Sequence, residues 1–290
     1  MRHTIPTLDI CTLSETRDSE FVMERFSSYL KHHKNLNFPH RHNFYHVVFF
    51  TEGAGSHSID FHKFSVVPHQ IYFMAPGQVH SWNFEGNIDG YVVNFTNEFF
   101  QSFLLRHDYL ERFTFFNGIS QDSVINLEQD LTKSIKGRFE ELLALKNPMQ
   151  KDLVKVILLQ IFLLIDQYNL KDKPYNQPNY TLLKNFQKLI EKHYTEFRLP
   201  KEYADLLFVT PNHLNALCKS TMGVQAGELV RNRILLEAKR LLVNLDMTIT
   251  EISNELNFND NSYFTKFFKK QAGITPEEFR KNAFINISAK

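Results

Sequence analysis

The chain lacks the features that hold secreted and membrane proteins together. Its 290 residues include two cysteines, Cys11 and Cys218, far apart in sequence, so no disulfide framework is expected. The start, MRHTIPTLDICTLSETRDSEF, carries no apolar h-region, so nothing marks the chain for secretion and a cytoplasmic location is expected. Long apolar runs are missing too. The best candidate, VKVILLQIFLLI, is broken by Lys155 and Gln160 and ends at Asp166, short of the ~18 uncharged residues that a membrane span needs. Gly and Pro number ten each, which excludes collagen-like sequence, and 43% hydrophobic against 22% charged residues excludes wholesale disorder.

What is abundant is phenylalanine, with 28 residues, and so large and rigid a side chain must fill cores or line an apolar cavity. The length exceeds the usual ~100–150-residue domain and favours two domains. Charge divides the chain in the same sense. Residues 181–290 carry 16 Lys and Arg against 12 Asp and Glu, a net +4, while residues 1–180 carry 17 against 20, a net −3. That sign suits a nucleic-acid module joined to a module with other ligands.

Residues 37–100 alternate aromatic and β-branched runs with turn signals: HVVFF before TEGAG, SHSIDF, FSVV before PHQ, IYFM before APGQ, and YVVNF before TNE. The spacing predicts strands of ~5 residues in an antiparallel sandwich or barrel. From about 97 the period becomes helical. Leu153, Val156, Ile157, Ile161, Leu164, Ile165 and Tyr168 recur on one face, widened by Leu158, Phe162 and Leu163. A helix at 152–168 that is apolar round most of its girth needs cover on two sides, so a homodimer contact is expected there, with Leu158 or Phe162 as the positions to test. The bland alternative is a core helix of a monomer. Residues 169–180, NLKDKPYNQPNY, have the composition of an exposed linker and divide domains 1–168 and 181–290.

Beyond the linker, helices are predicted over 181–195, 201–208, 211–221, 225–243, 249–256, 261–271 and 276–283. Thr248 with Glu251 and Thr275 with Glu278 form capping boxes, Thr210 precedes Pro211 as Thr275 precedes Pro276, and Asp260 caps the helix after it. Two segments share a design. EYADLLF, the turn VTP and NHLNALCKSTMG make one; TEISNELNF, NDN and SYFTKFFKKQAG make the other. Each is a helix, a short turn and a second helix with its apolar residues (Leu214 and Leu217; Phe264, Phe267 and Phe268) turned inward. That is helix-turn-helix geometry, in which the second helix can enter a major groove.

Over residues 183–282, and most specifically through GVQAGELVRNRILLEAKRLLVNLDMTITEISNELNFNDNSYFTKFFKKQAGITPEEFRKN, the chain resembles the AraC/XylS family of bacterial transcription regulators. The resemblance implies two reading helices spaced by a helix over 231–244, entering successive major-groove segments about ten base pairs apart on double-stranded DNA. It implies Asn212, Asn215 and Ala216 as base readers on the first, with Lys219 towards the backbone. On the second it implies Asn261, Ser262, Thr265 and Lys266 as the outward set, with Lys269 on phosphates. Ala216 replaces a polar residue common in the family and can offer only methyl contact. Pro200 replaces a common capping Ser or Thr.

Seven of thirteen histidines lie between 40 and 80. FPHRHNFYH, followed by APGQVH, resembles the two short motifs of the cupin barrel, which fits the family's usual N-terminal effector domain. The predicted fold is therefore α+β in two domains: a cupin-like β-barrel with accessory helices, then an all-α tandem helix-turn-helix domain. His40, His42, His46, His80, Tyr45 and Trp82 are the candidate effector contacts. No cofactor is expected; if a metal is held, His40, His42, His46 and His80 would hold it, with His46 where metal-binding cupins have a carboxylate.

The reading is a cytoplasmic, effector-responsive activator that binds DNA as a homodimer, contacts RNA polymerase and is not an enzyme. One alternative is a metal-dependent cupin enzyme with a DNA-binding tail, disfavoured by the absence of a general-base pair, nucleophile elbow or phosphate loop. Another is a helical half that binds protein instead of DNA.

Overall fold

The computed structural model describes residues 6–13, 20–33, 38–101, 103–104, 109–145, 150–169, 178–243 and 247–288. The chain divides into two compact units, residues 6–172 and 173–290.

The first unit is built on one eight-stranded sheet: β1 (Thr7–Leu8), β2 (Phe21–Arg25), β3 (His40–His42), β4 (Tyr45–Ile59), β5 (His62–Ser65), β6 (Gln70–Met74), β7 (Val79–Phe95) and β8 (Val124–Asn126), and it carries the short helices α1 (Ile10–Leu13), α2 (Phe26–His32) and α3 (Asn97–Gln101). Its path is β1-β3-β7-β4-β6-β8, with β2 also on β7 and β5 also on β4. The expected closed barrel is therefore an open sheet. The expected 5-residue strands are corrected as well, since β4 and β7 run 15 and 17 residues and pair antiparallel from Tyr45↔Phe95 to Ile59↔His80. The TEGAG segment, read as a turn, lies inside β4. Gly53 and Gly55 there have positive φ, and the register shifts between Phe50 and Glu52 and again between Glu52 and Ala54, so the glycines permit a bulge that bends the strand and lets it continue. Gly90 is required on β7, because a Cβ there would lie 1.9 Å from the Phe49 carbonyl oxygen.

The run HVVFF is apolar without alternation because both faces of the sheet are covered. Val47, Phe49, Ile71, Phe73, Tyr91, Val93 and Phe95 face one core, which α4 (Gln129–Ala144) and α5 (Lys151–Asn169) share through Phe139, Ile157, Leu158, Ile161, Phe162 and Ile165. Phe162 meets the rings of Phe73, Phe95, Phe113 and Phe116 at 5.3–6.1 Å, so phenylalanine fills the middle of this core. Val48, Phe50, Tyr72, Met74, Trp82 and Val92 face the other core, closed by the helix Phe26–His32 through Phe26 and Tyr29. Leu158 and Phe162, named for a homodimer contact, are thus buried within their own unit. The outward stripe of α5 is Leu153, Val156 and Leu163, exposed by 42, 37 and 38%.

The second unit is all helical: α6 (Pro178–His193), α7 (Pro200–Leu206), α8 (Pro211–Met222), α9 (Ala226–Leu242), α10 (Ile249–Glu255), α11 (Asn261–Ala272) and α12 (Pro276–Ser288). Their buried residues, including Phe186, Tyr203, Leu214, Leu217, Val230, Ile234, Ile252, Phe264 and Phe268, form one core. The helix spacing the two motifs is α9; Asn244, its expected end, lies outside the described residues, as do residues 170–177 of the expected linker. α5 reaches Asn169 and α6 starts at Pro178, so helix occupies both margins of that segment.

Candidate nucleic-acid interface and sensing interior

α8 starts where Thr210 Oγ1 accepts the His213 N–H at 3.1 Å, and it stops at left-handed Gly223. Leu214, Leu217 and Cys218 are buried, which turns Asn212, His213, Ala216, Lys219 and Ser220 to solvent. Asn215 does not join this stripe. Its Oδ1 accepts the Ala226 N–H at 3.1 Å and so caps α9. The residue named as a base reader therefore holds the helix that follows. His213 is an exposed group that the sequence reading passed over; its place one residue beyond Asn212 was the available signal.

α11 repeats the scheme. Asp260 Oδ1 accepts the Tyr263 N–H at 2.7 Å, Gly273 ends the helix with positive φ, and Phe264 and Phe268 are buried. Asn261, Ser262, Tyr263, Lys266, Lys269 and Lys270 are exposed and Thr265 is half-buried. Asn261 Nδ2 reaches Thr250 Oγ1 at 3.5 Å. Lys269 also helps to hold the Glu278 carboxyl below its usual range, behind the larger effect of the Thr275 amide that Glu278 accepts.

The turns before the two reading helices match atom for atom. Val209 N–H bonds Ala204 O at 3.0 Å and Phe258 N–H bonds Ser253 O at 2.9 Å, with Phe208 (φ 56°) and Asn257 (φ 54°) left-handed between them. This is a Schellman stop used twice. At the preceding helix start, where Pro200 replaces a capping side chain, the Glu202 carboxylate accepts the Arg198 and Leu199 amides at 2.8 and 2.7 Å.

In the sheet unit, β3 and the start of β7 bring His40, His42 and His80 together, with ring centroids 4.2–4.9 Å apart and all three buried. His46 lies beside them, 4.9 Å from His42, and Trp82 stands 5.2 Å from His80. Tyr45 is not part of the group. It faces the opposite core, stacked on Phe95 at 5.0 Å, because neighbouring strand residues point to opposite faces. His57 completes the cluster, its Nε2 3.1 Å from His80 Nδ1. Sequence reading missed it because the two register shifts in β4 hide which residue of β7 it meets.

Each ring has a defined partner. His40 Nδ1 donates to the Phe38 carbonyl at 2.8 Å, His46 Nδ1 donates to Asn94 Oδ1 at 2.6 Å, and His80 Nε2 lies 3.4 Å from His42 Nε2. Burial removes water from the charged forms and lowers all five pKa values, His40 to about 4 and His46 to about 3. Near neutral pH the interior is therefore an uncharged wall of imidazole donors and acceptors. His40 Nε2, His46 Nε2, His57 Nδ1 and Trp82 Nε1 are buried with no hydrogen-bond partner among the described residues.

Among the described residues, no helix is long and apolar enough to cross a membrane. A family profile described as an AraC-like ligand binding domain matches residues 27–153, and one described as a helix-turn-helix domain matches 203–282. The chain is 39% identical over 80 residues to the uncharacterized transcriptional regulatory protein YesN of Bacillus subtilis (strain 168), covering 27% of this chain and 22% of that one. It is 21% identical over 261 residues to the HTH-type transcriptional activator RhaS of Escherichia coli O81 (strain ED1a), covering 84% and 88%. The chain thus spans about a fifth of YesN. Among solved structures, unsaturated fatty acid-bound ToxT from Vibrio cholerae strain SCE256 aligns with 92% of this chain and 97% of its own at 13% identity and a TM-score of 0.43. With an AraC-like ligand binding profile on residues 27–153, a helix-turn-helix profile on residues 203–282 and a relative aligned over 84% of the chain, the chain belongs to the AraC family of transcriptional regulators.

Proposed function

We propose that the chain is a cytoplasmic, sequence-specific regulator that binds double-stranded DNA through α8 and α11 and responds to a small-molecule effector held in the histidine-lined interior. The observation that carries it is the duplicated helix-turn-helix: two twelve-residue helices, each capped at both ends, each presenting a polar and basic stripe over a buried apolar face. Asn212 and Asn261 are the candidate base readers, because an exposed Asn can bond adenine bidentately, while Lys219, Lys266 and Lys269 suit phosphates. Asn215 is reassigned to holding α9. The sensing domain spans 1–168 and the DNA-binding domain 181–290, joined by a linker at 169–180. The reading includes activation through RNA polymerase and no enzymatic turnover; the activation is supported by the likeness to RhaS, named as an HTH-type transcriptional activator.

The apolar stripe Leu153, Val156 and Leu163 supports a homodimer through α5, in place of the buried Leu158 and Phe162.

Binding-site selection followed by mobility shift tests the reading. Asn212→Ala and Asn261→Ala each cost about 1–3 kcal/mol at the preferred site and relax one base position, the two positions lying about one helical turn apart. Lys269→Ala instead weakens all sequences about equally and lowers the salt slope by roughly one counterion. If neither Asn variant changes base preference, the helices do not read DNA as proposed.

A further inference from the structure

We infer that His40, His42 and His80 form a site for one divalent first-row transition-metal ion inside the sheet unit. One potential ligand nitrogen on each ring lies within 4.8 Å of the others. The His42 and His80 Nε2 atoms are 3.4 Å apart. That is the edge of a tetrahedron around an ion with bonds of ~2.0–2.1 Å to nitrogen, where neighbouring ligands sit about 3.3–3.4 Å apart. To join them on the same ion, the His40 nitrogen must close to that separation from within 4.8 Å.

The surroundings are those of metal-bound imidazoles, which give their second ring N–H to a fixed acceptor. His40 does so to the Phe38 carbonyl, which leaves a bare lone pair on a buried Nε2 with no partner among the described residues. His80 does so when its proton sits on Nδ1 and is donated to His57 Nε2 at 3.1 Å, freeing its own Nε2 for the ion. His57 is thus a positioning residue. His46, with Nδ1 on Asn94 and a bare Nε2, stands beside the group as a reserve ligand.

The donor set selects the ion. Nitrogen ligands without a carboxylate favour zinc, cobalt, nickel or copper and exclude calcium and magnesium.

The inference rests on reading this interior as the sensing compartment, and the test separates the two. The full chain is stripped with chelator, dialysed and titrated with Co2+ alone, followed by visible absorption, with Zn2+ as competitor. Expected are one Co2+ per chain with tetrahedral bands, displacement by Zn2+, and a higher melting temperature with Zn2+. His40→Gln and His80→Gln, checked for native melting, weaken uptake at least 100-fold. His57→Gln weakens it ~10–100-fold at unchanged stoichiometry, as loss of a second ring partner does. His62→Gln, on the exposed β5, leaves it unchanged. No Co2+ uptake by the parent chain, or unchanged uptake in a folded His40→Gln or His80→Gln, overturns the site. If uptake fails but an organic metabolite stabilises the chain, the metal inference falls and the sensing reading stands. If uptake follows prediction while Zn2+ leaves DNA affinity unmoved, the site stands and its sensing role falls.

Discussion

Asn215 and Phe208 show how much one side chain decides in the helical unit. The Asn215 carboxamide satisfies an amide at the start of α9 that would otherwise be left open. Asn215→Ala is expected to cost about 1–2 kcal/mol in urea unfolding and to leave base preference unchanged, while Asn215→Asp keeps the acceptor and most of the stability. A shift in selected bases with unchanged stability would return Asn215 to the reading set. Phe208 sits at φ 56° and is 95% exposed, so its ring gains nothing from burial and its backbone bears roughly 1 kcal/mol of left-handed strain. The matching turn uses Asn257, a residue that tolerates this conformation. Phe208→Asn is therefore expected to raise stability by about 0.5–1 kcal/mol with DNA affinity unchanged; a loss in either measurement would show that the exposed ring has a partner.

At the scale of elements, α5 has two faces with different duties. Leu158 and Phe162 lock it to the sheet, whereas Leu153, Val156 and Leu163 form a separate outward row. Leu158→Glu is expected to lower the melting temperature sharply, since a charge buried without a partner costs several kcal/mol. Val156→Glu with Leu163→Glu is expected to give a folded monomer by sedimentation. A dimer that survives the double change, or a parent chain that is already monomeric, would remove α5 from the interface. The two reading helices differ from α5 in that their start and stop signals are local. Thr210, Asp260, Gly223 and Gly273 act within a turn of the residues they cap, which is why the bounds expected from sequence and those observed differ by at most one residue.

At the scale of the whole molecule, the five buried imidazoles among the described residues all belong to the sheet unit, and they shape its response to acid. Well above pH 6.5, by about one unit or more, they are neutral in folded and unfolded chains alike and add no pH dependence. Below 6.5 the unfolded chain takes up protons that the folded unit refuses, until about pH 4 for His40 and about 3 for His46. Stability is therefore retained above 6.5 and lost as the pH falls through that window, His40 alone accounting for about 3 kcal/mol. In metal-free protein, melting followed by the fluorescence of Trp82 is expected to fall steeply between pH 6.5 and 4, and less steeply in His40→Gln. A flat profile would mean that the rings are charged or hydrated when folded.

The sequence by itself determined the helical unit and its likeness to a known family. Caps, turns and 3.6-residue periods are short-range, and they fixed α8 and α11 and the stripe each presents. It also placed His40 and His42 on one face of a strand, because alternation in a strand is local. Tertiary structure decided the rest. The register of β4 against β7, shifted twice by the bulge at Gly53, put His57 on His80 and carried the strands on past TEGAG in an open sheet. Packing chose which side of α5 is core, turned Tyr45 away from the histidines and gave Asn215 a neighbour eleven residues on. In each case the deciding partner is distant in the chain or hidden behind an irregular register, and periodicity in sequence carries no information about it.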